Sequence, residues 1–118
     1  MLDLACGRGN FTVELARRVG PSGLVLGVDI ARAMLARAAA RVERARLTNV
    51  LLVRGDALAL PIRAASLARL NCSGGLHQLS DLARALAEIA RVAALGFTDV
   101  GWHTAGPVFG RAWARRPG

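Results

Sequence analysis

Asp3-Leu4-Ala5-Cys6-Gly7-Arg8-Gly9 is the stretch that decides the fold. An apolar run over residues 1–5 ends in two glycines spaced one apart, and a segment with helical spacing (Phe11, Leu15, Val19) follows at once. A short apolar run bounded by a turn signal predicts a buried parallel strand. Asn10 is placed to cap the helix after it. Glycine carries no Cβ, so a strand-to-helix turn built on Gly7 and Gly9 can be tight and can bring bare backbone close to a ligand. In open α/β sheets ligands bind there, at the carboxyl ends of strands where the strand order reverses. The nicotinamide fingerprint G-x-G-x-x-G fails, because Thr12 stands at its third glycine.

The pattern repeats along the chain. Gly20-Pro21-Ser22-Gly23 breaks the first helix, and residues 24–29 form a second apolar run that ends in Asp29, twenty residues after Gly9. An Ala/Arg-rich helix is predicted over 30–46, a turn at Thr48-Asn49, and a third strand over 50–54, followed by Gly55-Asp56. Residues 55–66 read as loop, 67–71 as a fourth strand despite Arg69, and 72–78 as a glycine-containing loop. Leu79, Leu82, Leu86, Ile89 and Ala93 mark a helix that starts near Ser80-Asp81. Residues 97–103 and 108–115 flank Thr104-Ala105-Gly106-Pro107 and read as an antiparallel hairpin. The expected class is therefore α/β: a Rossmann-like, doubly wound, mostly parallel sheet with helices on both faces and a C-terminal hairpin. One domain is expected over 1–118, with a ligand-binding βαβ core over 1–92 and the hairpin over 96–118. Asp3, Asp29 and Asp56 at three successive strand ends make a nucleoside-binding layout. Asp29 has two oxygens for two ribose hydroxyls, and the start of the first helix can receive a carboxylate.

Composition narrows the function classes. The chain has 118 residues and 53% apolar residues, enough for one domain with a real core and too apolar for disorder. No apolar stretch is long enough to span a bilayer, and the start has neither a basic nor a long hydrophobic region of a secretion signal. Cys6 and Cys72 suggest no disulfide framework, so a reduced, cytoplasmic setting is expected. Net charge is +8, and all 16 basic residues are Arg. Arg37, Arg41 and Arg44 share a helix face opposite Met34, Ala38, Val42 and Ala45; the arginines are otherwise scattered and no aromatic residues interleave with them. This favours a solvated surface over a nucleic-acid face. Two His and two Cys at these separations make no metal set. His77 is the candidate base at the sheet edge, weighed against an ordinary loop histidine.

These motifs resemble those of class I S-adenosylmethionine-dependent methyltransferases, closest to the small-molecule branch that includes the ubiquinone/menaquinone-biosynthesis C-methyltransferases. Residues 3–9 match D-x-G-x-G-x-G, with Ala5 in place of the first glycine. Asp29-Ile30-Ala31-Arg32-Ala33-Met34-Leu35 matches D-x-S-x-x-M-L, with Ala31 for Ser. Gly55-Asp56-Ala57 with Leu60-Pro61 matches G-D-A-x-x-L-P, and residues 71–79 resemble the strand-four loop. Glu88-Ile89-Ala90-Arg91-Val92 resembles the end of the next helix.

The resemblance implies S-adenosyl-L-methionine as cofactor and methyl transfer to a small-molecule acceptor. By the same resemblance, Asp3, Ala5, Gly7 and Gly9 would form the turn toward the methionine moiety, and Asp29 would bind ribose. Ile30 and Met34 would pack near the adenine, Asp56 would accept the adenine amino group, and the Ala57 N–H would meet the ring. Backbone at Asn71 and Cys72 would close over the methionyl end. Against the family pattern the chain reads as truncated: the helices before strand one, and the Pro-Gly-Gly-like turn with the fifth strand and its helix, have no counterpart. The hairpin is then expected beside strand four, giving a spatial order third, second, first, fourth, last, next-to-last. Two rivals stay open on sequence: a degenerate or non-catalytic cofactor-binding module, and an Arg-rich nucleic-acid-binding relative. An incomplete sheet also leads to an expectation of self-association.

Overall fold

Apolar runs that end at acids become strands, and the helical stretches between them become crossovers. A computed structural model describes the backbone of residues 1–73, 80–93, 99–104 and 110–115, and the side chains of 1–72 and 80–93. The elements are β1 (Leu2–Leu4), α1 (Asn10–Val19), β2 (Val25–Asp29), α2 (Arg32–Arg44), β3 (Val50–Arg54), β4 (Arg69–Ser73), α3 (Leu82–Val92), β5 (Asp99–Thr104) and β6 (Gly110–Arg115). They form one six-stranded sheet in the order β3-β2-β1-β4-β6-β5. The first four strands are parallel; β6 runs antiparallel to both β4 and β5. Residues 105–109, between β5 and β6, lie outside the described residues.

The pleat divides the core. Leu2, Leu4, Val28, Leu70 and Cys72 point to one face, packed under Ala57, Leu60, Leu67 and Val92. Asp3 and Val25 alternate to the other face, the side that buries Thr12, Val13 and Ala16 of α1 and Ala38 of α2. Asn49 closes the lower end of that side. Its amide donates to the carbonyls of Ala16 (2.9 Å) and Gly20 (2.8 Å), so it caps the end of α1 as well as turning the chain.

Several boundaries differ from the sequence expectation, three of them with a clear physical reason. Gly9, with φ 83°, occupies the N-cap of α1, and Asn10 is the first helical residue; the left-handed turn needs glycine more than the helix needs a side-chain cap. The second helix starts at Arg32, because both Ile30 and Ala31 complete the turn after β2. β4 lies two residues further along than 67–71. Cys72 and Ser73 pair with Ala112 and Arg111 of β6, whereas Leu67 makes only an isolated bridge with Ala93. Arg69 thus sits at the open amino end of β4, with its side chain exposed, which explains an arginine in an inner strand.

The ladders part where a ligand site is expected. β1 stays paired with β2 up to Leu4↔Val28, but its pairing with β4 stops at Asp3↔Asn71. Beyond that point β4 continues with β6 alone. The β1 and β4 ladders therefore part at the place where the strand order reverses, which is where open α/β sheets form their ligand crevice.

Candidate functional site

Asp29 is the hub of the crevice mouth. Its Oδ2 accepts the Gly7 N–H at 2.8 Å, and its Oδ1 accepts the Ala31 N–H at 2.9 Å. Its own carbonyl accepts the Gly55 N–H at 3.0 Å. One residue thereby ties the turn after β1, the start of α2 and the loop after β3 into a single rim. A carboxylate offers about four lone-pair sites, so each Asp29 oxygen keeps capacity for one further donor. Arg54 braces the same rim from β3, where it is the register partner of Asp29: its Nε donates to the Ile30 carbonyl at 3.0 Å. Ile30 itself stands 59% exposed, an apolar side chain beside a polar hub.

The two glycines of the turn do different work. Gly7 has φ 57°, and a Cβ built there would meet no atom within 4 Å. Its missing side chain leaves open space beside the turn. Gly9 has φ 83°, and a Cβ there would lie 3.0 Å from the Ala38 Cβ and 3.1 Å from the Ala38 Cα. Its missing side chain lets α1 approach α2. Ala5, where the resemblance expects glycine, also adopts a left-handed φ of 54°, a conformation that costs an L residue about 1–2 kcal/mol. Among the described residues the N-cap of α1 makes no side-chain cap bond, and no acid lies in its first turn. That helix end suits an anionic group.

Asp56 lies one residue beyond the Gly55 bond to Asp29. Its Oδ1 accepts the Leu58 N–H at 2.9 Å and its carbonyl accepts the Ala59 N–H at 3.0 Å, which closes a tight turn around Ala57. Oδ2 has no protein donor among the described residues, and the side chain is exposed. Met34 is half-buried on α2.

Asp3 is placed differently from the other two acids. It is 1% exposed, and its carboxylate accepts the Thr12 hydroxyl at 2.6 Å and the Asn71 amide at 2.9 Å. It bolts β1 to α1 and β4. Asn71 and Cys72 are likewise buried and belong to β4. In the sequence Thr12 stands out only as a missing glycine; its place in the first turn of α1, facing an acid on β1, is the signal that pairs them. Burial, with Asp3 and Asp29 nearby, pushes the Cys6 thiol up to about 12, so it stays protonated and unreactive. His77 lies outside the described residues, as does the side chain of His103. Among the described residues no three His, Cys, Asp or Glu are grouped to hold a metal, and no helix is long and apolar enough to cross a membrane.

A family profile described as a methyltransferase domain matches residues 1–96. The chain belongs to this methyltransferase-domain family. A demethylmenaquinone methyltransferase from Shouchella clausii is 37% identical over 106 residues, which are 90% of this chain and 45% of that protein. An arsenic(III) S-adenosylmethionine methyltransferase from Chlamydomonas reinhardtii superposes with a TM-score of 0.74 at 29% identity, over 90% of this chain and 40% of that one. A SAM-dependent methyltransferase from Aquifex aeolicus gives a TM-score of 0.79 over 96% of this chain and 79% of that one; at 18% identity it shows the shared fold alone. This methyltransferase domain spans less than half the length of the curated relatives it matches.

Proposed function

We propose that the crevice at the ends of β1 to β4 holds S-adenosyl-L-methionine and that the domain serves methyl transfer to a small-molecule acceptor. The observation that carries this reading is the Asp29 hub beside Gly7: a carboxylate with lone pairs to spare, bonded to the N–H of a glycine whose missing side chain leaves open space. The remaining groups fit the same ligand. Asp29 takes the two ribose hydroxyls. Ile30 and Met34 flank the adenine, the Oδ2 of Asp56 accepts its amino group, and the Ala57 N–H meets the ring. The turn of Ala5, Gly7 and Gly9, with the uncapped start of α1, receives the methionine end, and the backbone of Asn71 and Cys72 bounds it on the β4 side. Asp3 acts from below by fixing the strands that carry the turn.

When bound, S-adenosyl-L-methionine supplies an electrophilic sulfonium methyl group. The part of this chain is to bind it, orient it and exclude water, an effect of proximity more than of acid–base groups. His77 is kept as the candidate base for a hydroxyl or acidic-carbon acceptor. We take residues 1–92 as the cofactor-binding core and 96–118 as an added antiparallel unit within one domain. We take the setting to be cytoplasmic, because the spacing of Cys6 and Cys72 suggests no disulfide framework.

Calorimetric titration with S-adenosylmethionine and S-adenosylhomocysteine tests the reading. Asp29→Ala is expected to weaken both by about 1–3 kcal/mol, roughly 5- to 150-fold, because a charged hydrogen-bond acceptor is lost. No binding by folded wild-type protein at millimolar ligand, or equal affinity in the variant, would overturn it.

A further inference from the structure

We propose that Glu88 and Arg91, together with Arg84, are positioning residues for the adenosyl site: from α3 they grip the main chain of the 58–62 loop and thereby fix the carboxylate of Asp56. The proposal rests on the S-adenosylmethionine reading above. Arg84 Nε donates to the Leu58 carbonyl at 3.0 Å, and Glu88 Oε2 accepts the Leu60 N–H at 2.7 Å. Arg91 donates through Nη2 to the Leu60 carbonyl at 3.0 Å and through Nη1 to the Ile62 carbonyl at 2.9 Å. Glu88 and Arg91 also bind each other twice, at 2.7 and 2.9 Å.

An ordinary ion pair three residues apart on a solvated helix is worth a few tenths of a kcal/mol and leaves its other donors to water. Here four further bonds, one from Arg84, one to Glu88 and two from Arg91, go to main-chain groups of one loop, 26 to 31 residues away in sequence. The guanidinium fork is rigid, so its bond to Glu88 aims the other N–H groups at the loop. Arg91, and after it the Leu60 N–H, hold the Glu88 carboxyl at about 2, so the grip is fully charged at neutral pH.

Leu58 connects the grip to the site. Its carbonyl is held by Arg84 and its N–H is held by Asp56 Oδ1. With that oxygen engaged, Oδ2 is the one left to accept from a ligand. The open groove between α3 and the loop is lined by Leu58, Arg84, Glu88 and Arg91, the residues that make this grip.

The test is a double-mutant cycle on S-adenosylhomocysteine binding, with Arg91→Lys and Asp56→Asn singly and together in the full chain. Arg91→Lys keeps the charge and loses the fork; it is expected to weaken binding roughly tenfold, and by less than about twofold once Asp56 is Asn. An S-adenosylhomocysteine analogue with oxygen in place of the adenine amino group should bind wild type and Arg91→Lys alike. Amide exchange at Leu58 and Leu60 should quicken in Arg91→Lys and in Glu88→Gln, a readout available even if one variant binds poorly. Equal losses with and without Asp56, or faster exchange with unchanged affinity, would overturn the positioning role while leaving the cofactor reading intact. Failure of wild-type protein to bind S-adenosylhomocysteine would overturn both.

Discussion

Placing an alanine at each glycine of the Gly7-Arg8-Gly9 turn separates a ligand-facing position from a packing position. At Gly9 the new Cβ meets the Ala38 Cβ at 3.0 Å and its Cα at 3.1 Å, so α2 backbone must move. Overpacking of this kind costs about 1–3 kcal/mol, and holding alanine at φ 83° adds about 1–2 kcal/mol. The sum, about 2–5 kcal/mol, is a large share of the roughly 5–15 kcal/mol that stabilises a domain of this size. At Gly7 the Cβ meets nothing within 4 Å, so only the left-handed conformation is charged against stability, again about 1–2 kcal/mol. The order reverses for binding. The Gly7 methyl enters the space assigned to the cofactor, and affinity should fall at least tenfold, a loss of about 1.4 kcal/mol. Urea denaturation followed by circular dichroism gives the first comparison, and calorimetry with S-adenosylhomocysteine the second. If Gly7→Ala destabilises as much as Gly9→Ala and binds the ligand normally, the reasoning about this turn is wrong.

Thr12→Val should destabilise the domain by about 1–3 kcal/mol, because the buried Asp3 carboxylate loses the Thr12 hydroxyl bond; a urea midpoint equal to wild type would contradict the bolt. Cys6, with its thiol pushed up to about 12, should resist iodoacetamide at pH 8 in the folded protein and react once unfolded, as read by mass spectrometry. Glu88 lies below its ordinary value, so its contribution is present above about 4.5 and is lost as pH falls toward 2. The stability gap between wild type and Glu88→Gln should therefore shrink between pH 5 and pH 2.5, and a constant gap would count against the charged grip. Sedimentation at increasing concentration should show self-association, because edge strand β3 exposes Leu51 (53%) and Leu82 and Leu86 stand out from α3; a concentration-independent monomer would refute it.

How much of this was legible depends on whether the deciding contact is local. β2 and β3 were readable because each is a continuous apolar run closed by a charged residue at the point where the strand leaves the sheet. β4 was misplaced by two residues because its upper half is defined by pairing with Ala112 and Arg111, some forty residues later, which no local pattern records. Asp29 and Asp56 were visible as acids at strand ends. Asp3 looks the same in sequence, yet the pleat turns it toward α1, where Thr12 and Asn71 consume its oxygens. The two glycines give no hint of what surrounds them; only the position of Ala38 distinguishes Gly9 from Gly7. The Glu88–Arg91 spacing was present on the helix, but its true partners are carbonyl and amide groups of another segment, and main-chain groups leave no mark in a sequence.

The central claim, that the Gly7 turn, Asp29 and the Asp56 loop face one adenosyl-shaped crevice, is tested most directly by amide chemical-shift mapping during titration with S-adenosylhomocysteine. The account predicts saturable shifts concentrated at Gly7, Ile30, Ala31 and 56–58, with the far end of the sheet near Asn49 silent. Shifts scattered along the arginine face of α2, or confined to the amino ends of the strands, would contradict it.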